Sequence, residues 1–140
     1  MLFQASITIP KNTTEADPII AYLKIAHGII TKFMVRPRPG HAGLAHLIIL
    51  HKEHQIAPST ESMNLHGDTF PIDWEDYYEM YHEPYELKLK GWNTDDTYPH
   101  AFDVYVAVVP RRAIVALAIV DAIRSAFGFL SPKRIFTGRS

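Results

Sequence analysis

Apolar and polar residues alternate along most of the chain. Phe3, Ala5, Ile7 and Ile9 interleave with Gln4, Ser6 and Thr8 until Pro10 ends the run, the period-2 pattern of a half-buried strand. Two further β-rich runs, 19–26 and 29–36, flank Gly28, and Arg36-Pro-Arg-Pro-Gly breaks the second. The next run is apolar on both faces: Leu44, His46, Ile48 and Leu50 share one, and Ala45, Leu47, Ile49 and His51 the other. Residues 57–72 read as a long loop with turn chemistry at Ala57-Pro-Ser-Thr and His66-Gly-Asp. Tyr85, Leu87 and Leu89 then alternate with Glu86, Lys88 and Lys90, and Phe102, Val104, Val106 and Val108 form a last strand before Pro110. Ile48, Leu50, Leu87, Leu89, Val104 and Val106 are expected in one core. Six or seven strands without interleaved helices predict a single antiparallel β-sandwich over residues 1–110, jelly-roll or immunoglobulin-like.

The pattern changes after Pro110. An alanine-rich run without proline until Pro132 predicts a helix over 111–130, leaving 131–140 as a basic tail. Ala118, Ala122 and Ala126 recur every fourth residue, and Ile119, Ile123 and Phe127 form an apolar stripe beside them. Such a helix can pack on its own sandwich, on another subunit or against a membrane. Asp121 and Arg124 interrupt its apolar surface, so membrane contact through 113–130 is disfavoured. The assembly reading takes Ala118, Ile119, Ala122, Ile123, Ala126 and Phe127 as the self-association face.

Composition adds limits. The 140 residues are 47% hydrophobic and 21% charged, enough to bury one core, and the formal net charge is −1. That balance lacks the basic footprint of a dedicated nucleic-acid binder. The mean hides a partition. Residues 1–52 carry six Lys/Arg against two Asp/Glu, residues 53–103 two against twelve, and residues 104–140 six against one, giving nets of +4, −10 and +5. Opposed blocks suit contact between copies, and they also suit a merely solvated acidic face and basic tail. There is no cysteine, which removes disulfides, thiolate zinc sites and cysteine nucleophiles. No basic segment followed by an apolar run opens the chain, so no secretory signal is expected.

Candidate chemistry is sparse. Of eight histidines, His41, His46, His51 and His54 cluster in sequence, but strand geometry sends His46 and His51 to opposite faces. His51 and His54 could meet only if the strand ends between them. A cupin would show His-x-His followed by a glutamate, and neither that pattern nor a second histidine motif occurs. Asn93, Asp95 and Asp96 offer calcium-type oxygens but read more simply as turn formers. The segment Asp73-Trp-Glu-Asp-Tyr-Tyr-Glu-Met-Tyr-His-Glu interleaves acids with Trp74, Tyr77, Tyr78 and Tyr81. Together with Trp92, those rings could pack on the sandwich rim, anchor a partner or stack on sugars. Paired carboxylates there would need a cleft to act in glycoside hydrolysis. No phosphate loop, nucleophile elbow or His-Glu-x-x-His is present. No catalytic residue, metal or cofactor is expected.

Three stretches resemble small uncharacterised β-sandwich virion-type proteins of tailed phages and prophages: Pro39-Gly-His-Ala-Gly-Leu-Ala-His, His54-Gln-Ile-Ala-Pro, and Gly91-Trp-Asn-Thr-Asp-Asp-Thr-Tyr-Pro-His leading into 102–110. The resemblance spans about 20–110 and transfers no functional residue. It implies a virion component, such as a capsid decoration or tail-associated protein, made in the host cytoplasm. Its expected partners are further copies and other virion proteins. The alternative is a carbohydrate- or receptor-binding module built on the 74–81 aromatics.

Overall fold

The computed structural model describes residues 1–130. Its contacts divide into two units, Met1–Val108 and a second beginning at Val109. The first contains the strands β1 (Leu2–Ile9), β2 (Ile19–Lys24), β3 (Gly28–Pro37), β4 (Ala45–His51), β5 (His54–Ala57), β6 (Ile72–Met80), β7 (Glu86–Asn93) and β8 (His100–Val109). They form two antiparallel four-stranded sheets, ordered β1-β8-β3-β6 and β2-β7-β4-β5. That order is the eight-stranded jelly roll, which decides between the two sandwich types the sequence allows.

Alternation builds the core. Ile7 and Ile9 of β1 face inward beside Phe102, Val104, Val106 and Val108 of β8, with Ile7 opposite Phe102 in the register. From the second sheet Leu47 and Ile49 of β4 meet Leu87 and Leu89 of β7, with Ile49 opposite Leu89. Ile48 and Leu50 do not belong to this core. They are buried with Trp92 in a separate cluster, because inward Leu47 and Ile49 place them on the outer face of their sheet. Both faces of β4 are apolar, so alternation could not say which one turns in.

Gly91 sits where the two sheets approach closely. It pairs with Leu47 and Ile19, and a Cβ placed there would stand 2.5 Å from Cδ1 of Ile9. Between β4 and β5 the chain reverses through Lys52 and Glu53, with His51 directly opposite His54. Both turn residues have left-handed backbone, φ 51° and 63°, the geometry of a type I′ hairpin that favours Asn or Gly. Glu53 is retained by Lys88, whose Nζ donates to its carboxylate at 2.9 Å. Lys52→Asn is therefore expected to raise stability by about 0.5–1 kcal/mol in urea unfolding. A loss would contradict the turn geometry.

The second unit contains the helix α1 (Arg111–Leu130), which starts immediately after Pro110. The basic tail 131–140 and its expected contacts lie outside the described residues.

Candidate functional site

The aromatic segment 73–83 lies on β6, an edge strand of the first sheet, and on the connection to β7. Its acids Asp73, Glu75, Asp76 and Glu79 are exposed, a charged edge of the kind that blocks strand addition. Most of its rings turn inward. Trp74 stacks on Phe33 with centroids 5.0 Å apart, and Tyr81 stacks on His27 at 5.4 Å. The hydroxyl of Tyr78 donates to Nδ1 of His51 at 2.7 Å, since Nε2 of that ring donates to the Pro84 carbonyl. Tyr77 alone of the four is largely exposed, at 59%. Trp92 is on the other sheet, stacked on His46 at 5.5 Å. Trp74, Tyr77, Tyr78, Tyr81 and Trp92 therefore form no common platform. The alternation of β6 sends 74 and 78 toward the core and 77 to solvent.

The structure scatters the clustered histidines. His41 is fully buried, edge-on to Phe102 and 4.7 Å from the ring of His100. Its Nε2 donates to the Ala101 carbonyl at 2.7 Å, which leaves Nδ1 an acceptor with no partner among the described residues. His46 shares Oδ1 of Asn64 with His66, at 2.8 and 3.0 Å. His51 and His54 do face each other across the hairpin, but His51 is committed to Tyr78 and Pro84. Among the described residues no group of three or more His, Asp or Glu could hold a metal ion.

Asn93 ends β7, Asp95 and Asp96 follow it in the β7–β8 connection, and most of their side-chain oxygens are taken. The Asn93 amide donates to the carbonyls of Ile9 and Tyr98, and its oxygen accepts from the Asp95 amide. Asp95 accepts from the amides of Thr97 and Tyr98 and, at 2.7 Å, from Nε2 of His100. Oδ1 of Asp96 accepts from the Thr97 hydroxyl at 2.8 Å. These Asx contacts make a turn. Near them, Arg38 grips Asp103 through two nitrogens, at 2.9 and 3.2 Å, and Ser6 donates to the same carboxylate.

Two cavities open among the β1–β2, β3–β4 and β7–β8 connections. One, ≈ 290 Å³, is lined by Arg38, His41 and His100 with Thr8, Pro39, Pro99 and Ala101. The other, ≈ 390 Å³, is lined by Asn12, Thr13, Thr14, Glu15, Trp92, Asn93 and Thr94. Sequence reasoning passed over 12–15, where no pattern distinguishes a cavity wall from an ordinary polar loop.

Electrostatics here give a two-stage acid response. Burial holds His41 and His51 below the ordinary imidazole value of 6.5. The native state thus favours their neutral forms, and stability starts to fall as pH drops below 6.5. Asp95 is held below 3.8 by the Thr97 amide and then by His100, and Asp103 by Arg38. Their contributions are complete above 3.8 and are lost as pH falls through the depressed values. Melting temperature against pH should show both declines, with the upper one reduced in His51→Phe and the lower one in Asp95→Asn. A flat profile from pH 7 to 5 would remove the histidine stage.

In α1, Ala118, Ile119, Ala122, Ile123 and Ala126 are all exposed, as are Val115, Leu117 and Val120. The side chain of Phe127, the sixth residue assigned to the assembly face, lies outside the described residues. No described helix is long and apolar enough to cross a membrane.

No family model matches the chain, and no curated protein matches it. Several solved structures are similar. A Yersinia pseudotuberculosis-derived mitogen aligns with TM-score 0.46 and 12% identity, covering 78% of this chain and 86% of its own. A de novo designed double-stranded β-helix aligns at 0.38 and 10%, covering 74% and 97%. The P-domain of Penaeus vannamei nodavirus aligns at 0.33 and 9%, covering 75% and 96%. These are likenesses of β architecture and transfer no residue or role.

Proposed function

We infer that the protein is a non-enzymatic structural subunit that multimerises through α1. Its setting is a virus particle of the tailed-phage type, as a capsid decoration or tail-associated component. The observation that supports this reading is the exposure of Val115, Leu117, Ile119, Val120 and Ile123 on one helix. Apolar surface of that extent in water favours association. The first unit already has its own core of residues from all its larger strands, from Ile7 to Val108. The partners are further copies and other virion proteins. Charge supports head-to-tail contact, with the acidic block 53–103 of one copy opposite the basic block 104–140 of the next.

Sedimentation velocity at micromolar concentration tests the reading. The full chain is expected as a multimer, and Ile119→Glu with Ile123→Glu is expected to dissociate it without changing the far-UV spectrum. Rising salt should weaken the charged part of the contact. A monomeric full chain at that concentration would overturn the assignment.

A further inference from the structure

Strand β1 leaves one edge of the first sheet open. It stands at the end of the order β1-β8-β3-β6, and its register with β8 runs from Leu2 to Ile9 without a bulge. The Met1 amine donates to the Val108 carbonyl and the Val108 amide to the Met1 carbonyl, both at 2.7 Å. In an antiparallel ladder such reciprocal pairs recur at every second residue. Phe3, Ala5, Ile7 and Ile9 therefore spend their backbone on β8, while Leu2, Gln4, Ser6 and Thr8 direct theirs outward. Among the described residues nothing pairs with those outward amides and carbonyls.

The strands at the other edges are protected against such pairing. β6 carries its exposed acids, β5 pairs over only four residues beside a bulge, and β2 begins after Pro18 and ends on exposed Lys24. β1 has none of these devices. Leu2–Ile9 contains no charge, no proline and no glycine.

The strand is also complementary to itself. A second β1 laid antiparallel, with Ala5 on the twofold axis, sets Leu2 of each copy against Thr8 of the other and Gln4 against Ser6. Every outward amide and carbonyl from 2 to 8 then has a partner. Moving the axis to Gln4 or Ser6 would leave Thr8 or Leu2 unmatched. The same register keeps the inner faces of both sheets on one side, as a symmetric contact requires. Phe3 meets Ile7 of the second copy, and the two Ala5 residues meet each other. Phe3 and Ala5 are only half-buried in one copy, whereas Ile7 and Ile9 are buried. The contact thus covers apolar area that the sandwich leaves bare, and no charge opposes it.

We propose that β1 is a self-association edge, at which two copies join their first sheets by antiparallel β1–β1 pairing. The contact goes beyond assembly through α1 and does not depend on it. One strand pair buries less than a standard protein interface, so alone it is weak, and it gains from any other contact between the same copies.

The full chain carrying Ile119→Glu and Ile123→Glu separates this contact from α1. In sedimentation equilibrium it is expected as a monomer at micromolar concentration and as a dimer at about 0.5 mM, the weak range such a small contact implies. Gln4→Pro removes an outward amide and none that bonds β8, and should weaken dimerisation about tenfold or more with the far-UV spectrum unchanged. Gln4→Lys keeps the amide but brings like charges together near the axis, and should weaken it similarly. Cysteine reads the register, since the chain has none of its own. Ala5→Cys would place the two Cα atoms about 4.5 Å apart, within disulfide reach, while Thr8→Cys would hold them about 20 Å apart. Mild oxidation should link the first variant and not the second. A monomer at about 0.5 mM would overturn the proposal and leave the edge to a strand of another protein. A dimer indifferent to both Gln4 substitutions, or one linked through Thr8→Cys as readily as through Ala5→Cys, would overturn it equally. None of these outcomes bears on α1, whose test uses the chain without the helix substitutions.

Discussion

Leu89→Ala is expected to cost about 2–5 kcal/mol of unfolding free energy, measured by urea titration. Leu89 is fully buried, lies opposite Ile49 on one side and Ala21 on the other, and belongs to the single large core. Its removal leaves a void between two sheets whose backbones are fixed by hydrogen bonding, so neighbours can collapse only partly. Leu23 and Leu87 share the same face and offer no mobile loop to fill the space. A cost near zero would mean that β7 presents its other face to the core.

Gly91→Ala should cost about 1–3 kcal/mol by the opposite route, overfilling instead of emptying. The added carbon would lie 2.5 Å from Cδ1 and 3.1 Å from Cγ1 of Ile9, and 3.4 Å from the His46 carbonyl. Ile9 is fully buried, so its side chain can yield only by displacing others. The test is a double-mutant cycle with Ile9→Val, which deletes the offending Cδ1. The pair should be more stable than the sum of the two single losses. Additive losses would show that the glycine serves only its own backbone.

Much of the sandwich was legible because period-2 alternation is unambiguous where one face is polar. Phe3–Ile9 and Phe102–Val108 lie in β1 and β8 as read, and register places Ile7 against Phe102. β4 was legible as a strand but not in orientation. With apolar residues on both faces, only tertiary context put Leu47 and Ile49 inside and left Ile48 and Leu50 under Trp92. β5 was not legible because only four residues, His54–Ala57, pair there, after a hairpin of Lys and Glu where asparagine or glycine is the usual signal. The acidic aromatic segment could be read as edge strand or loop, and the choice depended on pairing with β3. The candidate sites were less legible. The cavity beside Trp92 joins residues about eighty positions apart, and neither wall carries a motif.

The strand order has a consequence for how the chain reaches this state. In each sheet a late strand occupies the space between two early ones: β8 between β1 and β3, and β7 between β2 and β4. Until residues 86–109 are available, β1 has no neighbour in its sheet and β2 none in its own. Pairs such as Phe3 with Val106 span nearly the whole unit, so little native pairing can be secured locally. Chains dominated by such distant contacts acquire their structure in milliseconds to seconds, far more slowly than helical bundles of like size. During synthesis the apolar inner faces of β1 and β2 would stay unpaired until the last two strands arrive, leaving the nascent chain exposed to misassociation over that interval.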